Sequence, residues 1–145
     1  MTSERVRIVS DGYEGWNRRD VDAMSASLAP DVEWRTAGVF PGLKPVYRGH
    51  DGVRRFWASM QEAWELIEIA PHRFVEYDDK VVAEIHFHAK GRQSGVEVEM
   101  DWAHVFTFRA DDLVVTVAGY RSVEEALAAE GIPSAAMRGA SRIAR

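Results

Sequence analysis

His104 is the residue in this chain whose type and setting best suit acid–base chemistry. It stands in residues 96–120, VEVEMDWAHVFTFRADDLVVTVAGY, which read as two strands joined by a tight turn at Ala110-Asp111-Asp112. Side chains alternate along a strand. Val98, Met100, Trp102, His104, Phe106 and Phe108 therefore share one face, and Glu97, Glu99, Asp101, Ala103, Val105 and Thr107 the other. The first face is apolar with a single ionisable group. An imidazole titrates near neutrality and can give or take a proton. The same pattern also describes a histidine satisfied within a core, or one at a contact between copies if the faces are inverted. Arg121 shares the phase of Val115, Val117 and Gly119. At a pocket rim it can hold a carboxylate or enolate oxygen; a solvated strand end is the alternative.

Two further sets of residues invite chemistry and are read as surface. His86 and His88 point two imidazoles the same way along a strand, and a metal site there needs a third ligand of the right kind. Alternation puts them, with Glu84, on the polar face opposite Ile85 and Phe87, so an exposed or partner-facing row is expected and not a metal site. Glu97, Glu99 and Asp101 form an acidic row. Paired carboxylates need a cleft around them to do acid–base work, so salt bridges or solvent are the expected partners.

The elements that position these residues follow from periodicity and punctuation. Residues 3–18 predict a helix capped by Ser3, with Val6, Val9, Tyr13 and Trp16 as its buried stripe. Asp20 caps a second helix through Leu28, ended by Ala29-Pro30-Asp31, and residues 32–35 predict a short strand. The loop 36–49, rich in glycine and proline, holds Phe40, Val46 and Tyr47 and is expected to fold over something. A third helix runs from His50 or Asp51 to about Glu65, with Val53, Phe56, Trp57, Met60 and Trp64 inward. Strands follow at 67–77 and 80–89, the first broken by Pro71 in the manner of an edge or bulge. After the opening pair of strands, residues 123–130 predict a short helix stopped by Gly131. The order is helix, helix, strand, helix, then four strands in an antiparallel meander. That order predicts an α+β fold with helices on one face of a curved sheet.

Composition bounds the function classes. A chain of 145 residues with 46% hydrophobic and 28% charged residues is the size and make-up of one globular domain. A net charge of −5 with both signs scattered argues against nucleic acid as a partner. The absence of cysteine excludes disulfides and thiolate chemistry. No apolar run approaches the ~20 residues of a membrane span, and the first fifteen residues lack a signal-peptide core. The cytoplasm is the expected location. Residues 1–131 are read as the domain. Residues 132–145, small, Ser/Ala-rich and basic, are read as a tail that is mobile or contacts a partner.

Four segments carry a family resemblance. They are Asn17-Arg18-Arg19-Asp20 with Leu28-Ala29-Pro30-Asp31-Val32-Glu33-Trp34; Tyr47-Arg48-Gly49-His50-Asp51-Gly52-Val53; Ser94-Gly95-Val96-Glu97-Val98; and Ala103-His104-Val105-Phe106 with Gly119-Tyr120-Arg121. In these, residues 4–130 resemble the nuclear transport factor 2-like superfamily, in its SnoaL-like branch, which also holds steroid isomerases and polyketide cyclases. The resemblance implies a curved antiparallel or mixed sheet wrapped around three helices as a cone with an internal pocket. It also implies a homodimer through the outer sheet face.

Carried over residue by residue, the resemblance breaks the isomerases' catalytic set. Their base carboxylate falls on Trp34, their oxyanion tyrosine near Gly12 and their protonated aspartic acid on His104. The carboxylate that cyclases and epoxide hydrolases place at the end of the last strand falls at Ser122, beside Arg121. The epoxide hydrolases' arginine and aspartate fall near Ile85 and Phe87. Ketosteroid isomerisation as such is therefore not expected. The inward aromatics make Trp16, Trp34, Tyr47, Trp57, Met60 and Trp102 the expected lining of a pocket for a small hydrophobic ligand. Two functions stay open: a cofactor-free acid–base isomerase, cyclase or hydrolase using His104 and Arg121, or a non-catalytic binding module. A structural dimer with a filled core is the third reading.

Overall fold

The computed structural model describes residues 3–36, 42–139 and 141–142; Phe40, expected within the loop, lies outside them. Three helices precede the long strands: α1 (Glu4–Asn17), α2 (Val21–Ser25) and α3 (Gly49–Ala63). Ser3 caps α1 by accepting from the Val6 N–H at 3.1 Å, and Asp20 caps α2 by accepting from the Ala23 N–H at 3.1 Å. Between them Gly15 lets the helices touch. A methyl group there would stand 2.7 Å from the Met24 backbone nitrogen.

The strands are β1 (Leu28–Arg35), β2 (Val46–Arg48), β3 (Trp64–Tyr77), β4 (Lys80–Gly91), β5 (Glu97–Phe108), β6 (Val114–Tyr120) and the two-residue β7 (Ser141–Arg142). They form one mixed sheet in the order β2-β1-β6-β5-β4-β3-β7, in which only β1 and β6 are parallel among the described residues. The meander β3 to β6 is as the alternation predicts. The start of the chain differs. The second helix ends at Ser25, not Leu28, because Leu28 already pairs with Val114 of β6. Pro30 is accommodated where the β1–β6 register shifts between Leu28 and Glu33, the kind of irregularity that tolerates proline in a strand. Trp64, expected on α3, instead opens β3.

The inner sheet face packs on α1 and α3 through one apolar cluster that includes Val9, Tyr13, Trp16, Val53, Phe56, Met60, Ile85, Phe87 and Phe106. The outer face carries a smaller cluster. There α4 (Val123–Glu130) lays Val123, Ala126 and Leu127 against Val75, Val82, Ala103 and Val105. Gly131 ends α4 at φ 69°, a left-handed position that favours glycine. Of residues 132–145, set apart by their composition, the described part joins this outer layer: Ile132 and Met137 are buried in it. No helix of the described residues is long and apolar enough to cross a membrane.

Candidate functional site

Between α1, α3 and the inner sheet face lies a cavity of about 60 Å³, measured as the space open to the centre of a water-sized sphere. One water needs roughly 10–15 Å³ by this measure, so a few small groups fit. Tyr13 and Trp16 reach its wall from α1, Phe56 and Met60 from α3, Trp34 from β1, and Trp102, His104 and Phe106 from β5. The rings support one another. Trp34 and Phe56 stand 5.2 Å apart, and Trp102 stacks on Phe87 at 4.8 Å. The Trp16 indole N–H is buried without a hydrogen-bond partner among the described residues.

Four of the six aromatic and methionine residues singled out by sequence, Trp16, Trp34, Met60 and Trp102, are in this wall; two stand behind it. Trp57 meets Trp16 edge-to-face at 4.9 Å and 88°. Phe56 and Met60, one helical turn apart, already hold the inward stripe of α3, and Trp57 is rotated to its flank. Tyr47 belongs to β2, on the sheet edge beyond β1. Its ring lies 5.4 Å from Phe56, and its hydroxyl accepts the Lys44 N–H at 3.0 Å. Arg121 is exposed, and the described wall does not include it. Its backbone N–H donates to the Glu125 carboxylate at 3.2 Å, and Ser122 next to it caps α4. The chain turns outward at this point, which carries the arginine away from the cavity.

His104 has a partner that its own strand does not reveal. The Tyr13 hydroxyl and His104 Nδ1 are 2.7 Å apart, and the two rings stack at 5.9 Å and 14°. Phe106 closes on Tyr13 edge-on at 5.8 Å. Residues with little bulk, Ala83 on β4 and Gly119 on β6, flank His104 in the sheet and leave room for the imidazole. The Asn17 side-chain amide fixes the C-terminal end of α1, giving to the Ile69 carbonyl and accepting from the Ile69 N–H, both at 2.8 Å.

Tyr13 and His104 are only 6% and 7% exposed. Burial pushes the His104 pKa down to about 4 and the Tyr13 pKa well up. At neutral pH both are uncharged. In one tautomer Tyr13 donates to Nδ1 and leaves the His104 Nε2–H as a donor. In the other His104 donates and leaves the Tyr13 hydroxyl proton. Either way the pair retains one proton to offer. The described wall contains one histidine and no carboxylate, a donor set that does not suit a metal ion.

The acidic row and the paired histidines lie on the outer face. His86 Nδ1 is 2.9 Å from Asp101 and its Nε2 is 3.1 Å from Glu99, while His88 Nε2 faces Glu97 at 3.3 Å. Hydrogen bonds to Asp101 and Glu99 raise the His86 pKa, and the one to His86 lowers that of Asp101.

Residues 9–117 match the family model described as a SnoaL-like domain. Among curated proteins none matches significantly. Solved structures do. An NTF2-like protein of unknown function from Burkholderia pseudomallei is 26% identical, with a TM-score of 0.77 over 88% of this chain and 97% of that one. TerC, co-crystallised with polyporic acid, is 24% identical, with a TM-score of 0.75 over 90% and 98%. RV0760c from Mycobacterium tuberculosis, in complex with estradiol-17beta-hemisuccinate, is 15% identical, with a TM-score of 0.71 over 86% and 98%. At these identities the last two speak for the fold.

Proposed function

This chain belongs to the SnoaL-like domain family, and we propose that it binds a small, hydrophobic, oxygen-bearing molecule in the aromatic cavity and moves a proton on it without a cofactor. The observation that carries the reading is the buried Tyr13–His104 pair in an otherwise apolar wall. Burying polar groups is costly unless they are matched. This pair matches one contact and keeps one proton in reserve, which is what a carbonyl or enolate oxygen needs. Because His104 is neutral, it acts as a hydrogen-bond donor or a weak base, not as an imidazolium acid. Trp16, Trp34, Met60 and Trp102 supply the apolar contact, with Tyr47 and Trp57 supporting them from behind. The reaction class is an isomerisation or cyclisation through an oxyanion steadied by the pair. Arg121, expected at the pocket rim, is exposed and is left out of this reading.

A non-catalytic binding module is the second reading. The lack of a carboxylate in the described wall favours it, because no strong base faces the ligand. The experiment follows tryptophan fluorescence on adding small phenols and cyclic enones of a size the cavity admits, and then screens their turnover. Saturable quenching that Tyr13→Phe and His104→Ala both weaken supports the site. Turnover by the parent that His104→Ala abolishes even at saturating ligand selects the enzyme; binding by the parent without turnover selects the module. Quenching that neither variant alters overturns both. The protein is further proposed to work as a homodimer, a reading supported by the family resemblance and tested by sedimentation velocity; a cytoplasmic location is proposed from the sequence and tested by cell fractionation.

A further inference from the structure

The outer sheet face gathers more ligand-type atoms than the His86–His88 spacing announces. The register between β3 and β4 shifts between Pro71 and Arg73, so His72 is an extra residue on β3. Bulges of this kind re-aim a side chain. The His72 ring comes to 5.8 Å from that of His86, and His72 Nε2 to 3.4 Å from Asp101 Oδ1. Asp101 lies directly opposite His86 on β5, with Oδ1 2.9 Å from His86 Nδ1. One ligand atom from each of His72, His86 and Asp101 lies within 4.8 Å of the others. Donor atoms around a tetrahedral zinc stand about 3.3 Å apart, given Zn–N and Zn–O bonds near 2.0–2.1 Å.

We propose that His72, His86 and Asp101 bind a divalent first-row transition ion of the zinc class on the outer face of the sheet. Two imidazoles and one carboxylate suit zinc and its neighbours, and suit magnesium poorly. A further feature fits. With Nδ1 of His86 on the ion, its Nε2–H points at Glu99 Oε1, 3.1 Å away. A carboxylate behind a ligating histidine fixes its tautomer and orientation in metal sites. The three ligands come from β3, β4 and β5, so the ion ties three adjacent strands. His88 faces Glu97 on the next register step and stands outside the three-ligand group.

The test titrates ZnCl2 into the tag-free 145-residue chain by calorimetry, after chelator treatment and exchange into chelator-free buffer at neutral pH. One ion per chain is expected. His72→Gln and His86→Gln each weaken binding by about 100-fold or more, and Glu99→Gln by roughly 10-fold, within the range seen for supporting residues. His88→Gln leaves the affinity unchanged. These positions are partly or fully exposed, so the variants keep the parent circular dichroism spectrum. In NMR spectra, zinc shifts the imidazole signals of His72 and His86 and spares those of His50 and His104. The proposal is overturned if zinc gives no binding up to millimolar concentration, if either histidine variant binds as the parent does, or if magnesium competes as well as zinc. Half an ion per chain would place the site between copies and equally overturn this ligand set.

Discussion

Both faces of the sheet carry histidine and treat it in opposite ways. On the inner face His104 is enclosed by rings, paired with Tyr13 and held neutral by burial. On the outer face His86 stands among carboxylates that raise its pKa. One strand, β5, supplies both settings: Trp102, His104 and Phe106 point inward, and Glu97, Glu99 and Asp101 outward. The difference teaches that the residue type does not set the chemistry. Desolvation dominates where water is excluded, and hydrogen bonding to carboxylates dominates where it is not.

The largest test of this contrast removes an inner ring. Trp34→Ala should cost about 3–5 kcal/mol, the range for large aromatic truncations in a core, read as a lower urea midpoint. A cost under 1 kcal/mol would mean that the inner wall is loose and the contrast false. Next is pH. Unfolded, His104 titrates near 6.5; folded, near 4. The unfolded chain therefore binds the extra proton between these values. Stability from keeping His104 neutral is complete above pH 6.5 and is lost as the pH falls toward 4, by about 3 kcal/mol. Urea melts of the parent and of His104→Gln at pH 7 and pH 4 should differ by that amount in their pH response; equal responses would refute the buried neutral histidine.

Asn17→Ala should cost about 2 kcal/mol, because it leaves the buried-side Ile69 groups unmatched and loosens the end of α1. Thermal melts read the loss, and weaker ligand quenching should accompany it because Tyr13 rides on the same helix. The smallest effect is on the outside. His88→Gln should change stability by less than about 0.5 kcal/mol, as exposed ion pairs contribute little. A drop comparable to that of Asn17→Ala would show that the outer row is not the solvated counterpart of the inner wall.

Much of this division was legible before any coordinates. Strict alternation in residues 80–89 and 96–108 puts Ile85, Phe87, Trp102 and His104 on one side and His86, Glu99 and Asp101 on the other. A one-residue error would have buried the carboxylates. Tyr13 was harder. Its spacing with Val9 and Trp16 marks it as buried, and the resemblance puts a family tyrosine near Gly12. The one available signal was a hydroxyl in an otherwise apolar stripe, which says that a partner exists but not which. Tyr47 and Trp57 stand behind the wall, and phase alone does not show this, because helical and strand phase give the inward half of an element. They do not tell which residue of that half meets the cavity and which meets a neighbour.

By itself the sequence determined the α+β order, the inner and outer faces, the caps at Ser3, Asp20 and Gly131, and the family. These depend on local sterics, on side-chain periods of 2 and 3.6, and on short-range hydrogen bonds. Only the tertiary structure decided which side chains meet. Tyr13 and His104 are 91 residues apart in sequence and 2.7 Å apart in space. His72 reaches Asp101 because a bulge adds one residue to β3. Arg121 leaves the cavity because α4 begins at the next cap. Such meetings are fixed by register shifts and by the packing of α1 across the sheet, and neither leaves a periodic trace in the chain.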